Sequence, residues 1–315
     1  RAATRDGKAA ASPVLSVALV AVLAALVVLE HLPAPMPTTD ARIPEVYRNI
    51  AADGDDFAIM QLPLGWRNSF GVLGSEQTNL QYFQTGHGKP MLGGNISRAP
   101  DFKMAYFARI PLFRAITELE MYREIPPEVD AAAREQAADL MALYNVRYLV
   151  TAPPIEGRYP YQDTWQRTEQ YVLDVLPVDE TPVWEADGYR VYRVAAPPVA
   201  LPLRLDLGIG GNEPYLGDGW DARTGEQPYG ATANWVTADA ATLILPMPAG
   251  FEPGAGGTMP LRLSVAPLAY DGAAQQAVSL SVNGHPVGGP LPLAAGWQSV
   301  AFDVPAEVLR PGPNR

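Results

Sequence analysis

Between residues 86 and 98 the chain runs Gly86-His87-Gly88-Lys89-Pro90, then Gly93, Gly94 and Arg98. One imidazole and two cations thus share a glycine-rich stretch whose backbone amides could face an anion. A phosphate or sugar phosphate would suit such a loop. The stretch lacks the Gly-Lys-Ser/Thr ending of a phosphate loop, and no helix start follows Lys89 directly. Two alternatives therefore stand: these residues fix a tight turn and pair with nearby carboxylates, or they touch a ligand or a membrane-embedded part.

Trp66, Trp220 and Trp235 lie in Gly-rich and polar surroundings, where an indole face stacks on a pyranose ring while its N–H donates to a hydroxyl. The competing role for a Trp in a small β-sandwich is to close its ends. Asp218, Asp221 and Glu226 supply carboxylates for a glycosidase pair or a calcium site, but neither their spacing nor a calcium-loop pattern supports that chemistry. Asp53, Asp55 and Asp56 make an acidic turn before a strand. No Gly-x-Ser-x-Gly elbow is present for a serine hydrolase.

The 315 residues include no cysteine, which excludes disulfides, cysteine zinc sites and thiol catalysis. His31, His87 and His285 are the full histidine complement, so neither a His-rich metal site nor any cofactor is expected. The 23 Lys and Arg residues against 34 Asp and Glu give a net charge of −11 without a basic cluster, and no nucleic-acid partner is expected.

The elements that must position these residues begin with an apolar run. Val14 to Leu29 carries no charge and one hydroxyl, Ser16, which predicts a transmembrane helix over 13–32 with the lipid bilayer as its partner. Arg1, Arg5 and Lys8 precede it, so residues 1–12 are read as a cytoplasmic flank and residues 33–315 as extracytoplasmic, at the cell membrane. A signal peptide, cleaved near Pro33-Ala34-Pro35, is the alternative. Either way the remainder is exported. The absence of an initiating Met suggests a fragment.

Residues 33–197 alternate helical and strand patterns, as an α/β domain does. A buried strand is predicted over 57–64, and helices over 76–85, 102–121, 128–144 and 164–176. A further strand is expected over 146–150, and a hairpin over 183–194 turns at Asp187-Gly188. At 195–202 the string AAPPVALP marks a boundary. Residues 198–315 then show short strands between Gly and Pro, including 201–207, 241–247, 259–268, 277–284 and 297–304, as in an all-β sandwich. The ending LRPGPNR reads as a turn, which implies that the sandwich is truncated at its C-terminus.

QTGHGKPMLGGNISR (84–98) followed by LYNVRYLV (143–150) resembles the extracytoplasmic region of bacterial polytopic membrane glycosyltransferases of the GT-C type, including YfhO-like proteins. EPYLGDGWDARTGEQPYGATANWVT (213–237) resembles the jelly-roll module appended to such proteins. The resemblance implies an enzyme that moves a sugar from a polyprenyl-phosphate donor to an extracytoplasmic acceptor. Its catalytic carboxylate would lie between membrane helices outside this sequence, so no residue here takes a catalytic role. The candidate ligand-binding residues are His87, Lys89, Arg98, Trp220 and Trp235, toward a polyprenyl-phosphate sugar or a cell-surface glycan. A single-pass or secreted carbohydrate-binding protein without catalysis is the alternative.

Overall fold

The computed structural model describes residues 13–32, 40–221, 232–252 and 256–315. The flank with Arg1, Arg5 and Lys8, the Pro33-Ala34-Pro35 stretch and Glu226 lie outside the described residues. Helix α1 (Pro13–His31) has 19 residues and a mean hydropathy of 2.5 over its most apolar window. At about 1.5 Å per residue it reaches about 28 Å, close to the thickness of a hydrocarbon core. By length and composition it fits a membrane span or a signal sequence equally. It belongs to a first unit ending at Arg42, and residues Ile43–Arg315 form a second.

The second unit begins with α2 (Glu45–Ala52), β1 (Ala58–Leu62), β2 (Trp66–Arg67), β3 (Val72–Leu73), α3 (Thr78–His87), β4 (Met91–Leu92) and β5 (Gly94–Asn95). It continues through α4 (Asp101–Arg109), α5 (Pro111–Glu120), α6 (Pro127–Leu143), β6 (Val146–Thr151), α7 (Tyr161–Val175), β7 (Trp184–Ala186) and β8 (Tyr189–Arg193). The main sheet has the order β4-β1-β6-β8-β7, with β4, β1 and β6 parallel and the last two strands antiparallel.

Every residue of β1 is buried, as a central parallel strand covered on both faces requires. Alternate residues face opposite layers. Ile59, Tyr148, Val150 and Val191 pack on α2 and α3 through Tyr47, Ile50, Leu80 and Phe83. Met60, Leu62, Leu149 and Tyr192 pack on α5, α6 and α7 through Phe113, Ile116, Ala137, Leu140 and Val172.

Local chemistry sets the element ends. Pro127 opens α6, where its missing N–H costs nothing, with Glu128 and Asp130 in the first turn. Asn145 follows α6 in the left-handed region at φ 53°, and its side chain donates to the Asp56 carbonyl at 2.8 Å. The helix expected over 102–121 is instead two, α4 and α5. Ile110, preceding Pro111, is pushed into extended geometry and begins a new helix. The hairpin turn at Asp187-Gly188 forms with both residues at positive φ. A small sheet of order β3-β2-β5 lies beyond the end of β1.

The remaining strands are β9 (Leu245–Met247), β10 (Thr258–Val265), β11 (Ala277–Val282), β12 (His285–Pro292), β13 (Gln298–Pro305) and β14 (Gly312–Asn314). β10 pairs antiparallel with β13, β11 with β12, and β14 with β9, and no closed barrel results. Val282, Val287, Val300, Phe302 and Val304 form the core of this region, while Leu261, Leu263, Val278 and Leu280 stay half-exposed beside it. Residues 201–207 form no strand: the Leu alternation is there, but Leu201 and Leu203 face solvent. The ending expected to be a turn contains β14.

Candidate functional site

Among the described residues a cleft of about 2690 Å³ opens within the second unit, several times the 300–1,000 Å³ of an ordinary small-molecule pocket. One wall comes from the α/β part, with Arg67, Gly93, Gly94, Phe102, Lys103 and Phe107. Other lining residues include Trp220, Trp235, the half-exposed Leu261, Leu263 and Leu280 of β10 and β11, and the exposed Arg262.

Helix α4 holds the two walls together. The Tyr106 hydroxyl donates to the Pro214 carbonyl at 2.7 Å and pairs with the Tyr144 hydroxyl. Arg109 donates to the carbonyls of Leu216 and Gly217. The segment after Leu216 then folds back on itself through bridges Leu216–Leu243 and Trp220–Val236. Trp220 Nε1 donates to the Thr242 carbonyl at 2.7 Å, which fixes the indole. Trp235 is half-buried, and its carbonyl accepts from the Asp221 amide at 2.9 Å. Trp66 also borders the cleft, but its ring is buried and stacks on Phe107 at 4.3 Å between centroids.

The structure brings Trp220, Trp235, Gly93 and Gly94 to one cleft and leaves His87 and Lys89 elsewhere. His87 ends α3, is buried against Tyr47 and accepts the Lys89 amide at Nδ1. Burial, and secondarily the Lys89 charge, lowers its pKa to about 4, so the ring is neutral. Lys89 Nζ donates to the carbonyls of Asp53 and Asp55, both at 2.7 Å, and lies 4.4 Å from the centre of the Phe57 ring. Arg98 is exposed and stands on the far side of β4 from them, since β4 runs parallel to β1. One loop in sequence thus serves two ends of the sheet.

Arg67, Lys103, Arg262 and Arg315 are cleft cations that sequence spacing did not point to. Arg67 faces out because its strand neighbour Trp66 faces in. Among the described residues, no histidine lines the cleft. Among the described residues, no group of three or more acidic or histidine side chains could hold a metal ion.

Strand order β4-β1-β6 creates a second classical place for a ligand, the crevice outside the carboxyl ends of β1 and β6. The chain itself enters there. Glu120 at the end of α5 accepts the amides of Leu64 at 2.5 Å and Ser75 at 2.7 Å, and a Cβ on Gly65 would stand 2.2 Å from the Ser75 carbonyl oxygen. Burial raises the Glu120 pKa to about 8 against the pull of those two donors. No family model matches this chain, and comparisons with curated proteins and with solved structures return no match.

Proposed function

We propose that the chain is the extracytoplasmic portion of a membrane glycosyltransferase-like protein acting on polyprenyl-phosphate-linked sugars. In this proposal α1 is retained in the cell membrane, residues 33–315 lie outside, and 198–315 is a jelly-roll-like sandwich. The cleft binds the lipid-linked sugar, and the chemistry is done by residues outside this sequence.

The carrying observation is the composition of the cleft. Half-exposed Leu261, Leu263 and Leu280 suit a hydrocarbon chain, Arg67 and Lys103 suit a phosphate, and Trp220 and Trp235 suit a sugar ring. Titration of the full chain in detergent with a polyprenyl-phosphate-linked monosaccharide, followed by Trp fluorescence, tests it. The lipid-linked sugar should bind at least tenfold more tightly than either the free sugar or the free polyprenyl phosphate, because it engages all three sets of residues. Equal binding of the free sugar would favour the second reading, a carbohydrate-binding protein without catalysis, which rests on the two indoles alone. Absence of binding by all three ligands refutes both.

A further inference from the structure

The hairpin between β2 and β3 carries Phe70 at its tip, 87% exposed. This exposure is built in. Asn68 is buried, and its Oδ1 accepts the amides of Phe70 at 2.9 Å and Gly71 at 2.7 Å, while its Nδ2 donates to the Ala99 carbonyl at 3.2 Å. The Ser69 amide donates to the Ser97 carbonyl at 3.0 Å, and the Ile96 amide to the Arg67 carbonyl at 2.9 Å. Two loops are thereby fastened side by side with their polar groups turned inward.

What faces out is apolar and cationic. Val72 is 56% exposed, Ile96 59% and Phe102 42%. Arg67 and Arg98 are exposed between them and Lys103 is half-exposed, with Asp101 the one carboxylate among residues 66–73 and 94–104. In a chain of net charge −11, such a surface repels little and attracts an anionic layer. Protruding aromatic and aliphatic side chains ringed by Arg and Lys are the composition that seats at a lipid interface, with apolar groups at the headgroup boundary and cations on anionic lipids.

We infer that this tip docks on an anionic lipid surface. The inference rests on the membrane attachment proposed above, since a lone tip of this size binds weakly and a tether raises its effective concentration at the bilayer. Arg67, Ile96, Phe102 and Lys103 also border the cleft, so docking would bring the cleft mouth to the lipid headgroups, where a lipid-linked sugar resides.

The absence of native cysteine makes single-site labelling clean. The full chain carrying Phe70→Cys, labelled with an environment-sensitive fluorophore, is reconstituted into vesicles of phosphatidylcholine with or without phosphatidylglycerol. Nitroxide lipids labelled at the headgroup level serve as quenchers. Gly54→Cys, in the acidic turn at the amino-terminal end of β1, is the control. It is exposed, and no atom lies within 4 Å of an added Cβ.

Quenching at position 70 should be several-fold greater in the phosphatidylglycerol vesicles, and it should fall to the level at position 54 at high salt or with Arg67→Gln, Arg98→Gln and Lys103→Gln combined. Equal quenching at positions 70 and 54, in vesicles that keep the chain through an alkaline wash, overturns the docking inference and leaves the anchor intact. A chain stripped by that wash overturns the anchor and the inference together. Self-quenching that follows protein density instead of anionic lipid assigns the tip to a second copy of the chain and also overturns the inference.

Discussion

The pH dependence of stability isolates Glu120, because its carboxyl and the His87 ring titrate in opposite senses. Burial places the Glu120 pKa at about 8 in the folded chain against 4.5 as a free side chain. Between those values the native state holds a proton that the unfolded state has released, so stability falls as pH rises, by about 1.4 kcal/mol per unit. His87 moves the other way. Its folded pKa of about 4 against 6.5 means that the unfolded state binds a proton the native state refuses, so stability rises with pH from about 4 to 6.5.

The two slopes cancel between about pH 4.5 and 6.5. From 6.5 to 8 Glu120 acts alone, and about 2 kcal/mol of stability should be lost. Urea unfolding of the full chain, followed by Trp fluorescence from pH 5 to 9, should show a plateau and then this decline. Glu120→Gln presents one acceptor and one donor to the two amides of Leu64 and Ser75, so one N–H is left facing a donor. At pH 6 the variant should be about 1–3 kcal/mol less stable than the parent, and its stability should not change between pH 6.5 and 8. A parent equally stable at pH 6.5 and 8, or a Gln variant that keeps the decline, refutes the reasoning.

Lys89→Ala removes two hydrogen bonds to carbonyls and the contact with Phe57, so the thermal midpoint should fall, by the equivalent of about 1–3 kcal/mol, with lipid-linked sugar binding unchanged. Trp235→Ala should do the reverse, weakening that binding about tenfold while near-UV circular dichroism of the remaining aromatics shows the fold retained. Arg190→Ala leaves the buried Glu169 carboxylate without its cation and should cost about 3–5 kcal/mol at pH 7 by urea unfolding. Gly65→Ala forces a methyl against the Ser75 carbonyl, and soluble expression should drop sharply.

Elements with local punctuation were legible in the sequence. The α6–β6 unit has prolines and acids at its start, helical spacing through Val129, Ala133, Ala137 and Leu140, and Asn145 at its end. The β7–β8 hairpin has Asp187-Gly188. Pairings decided at a distance were not. β2, β3 and β5 are two residues each, too short to show a period. The Gly-Pro-Asn of β14 looks like a turn until its partner β9 is known. The site divides in the same way. Trp220 and Trp235 stood out by residue type, but their cleft depends on Tyr106 and Arg109 of α4 holding carbonyls at residues 214–217. His87, Lys89 and Arg98 looked like one group because they are neighbours in sequence, and β4 separates them.

The order in which the chain leaves the ribosome gives the β9–β14 ladder a kinetic meaning. β9 emerges long before β14, and α6, against which both strands pack, earlier still. Asn283 exchanges hydrogen bonds with Arg315 and donates to the Asn314 side chain once those residues have emerged. Leu245, Met247, Pro313 and Asn314 border the cleft, so that wall is completed only when β14 has emerged and paired with β9. The α/β sheet can mature before β14 has emerged, whereas this wall of the cleft cannot, and until then its apolar strands are open to capture by a chaperone.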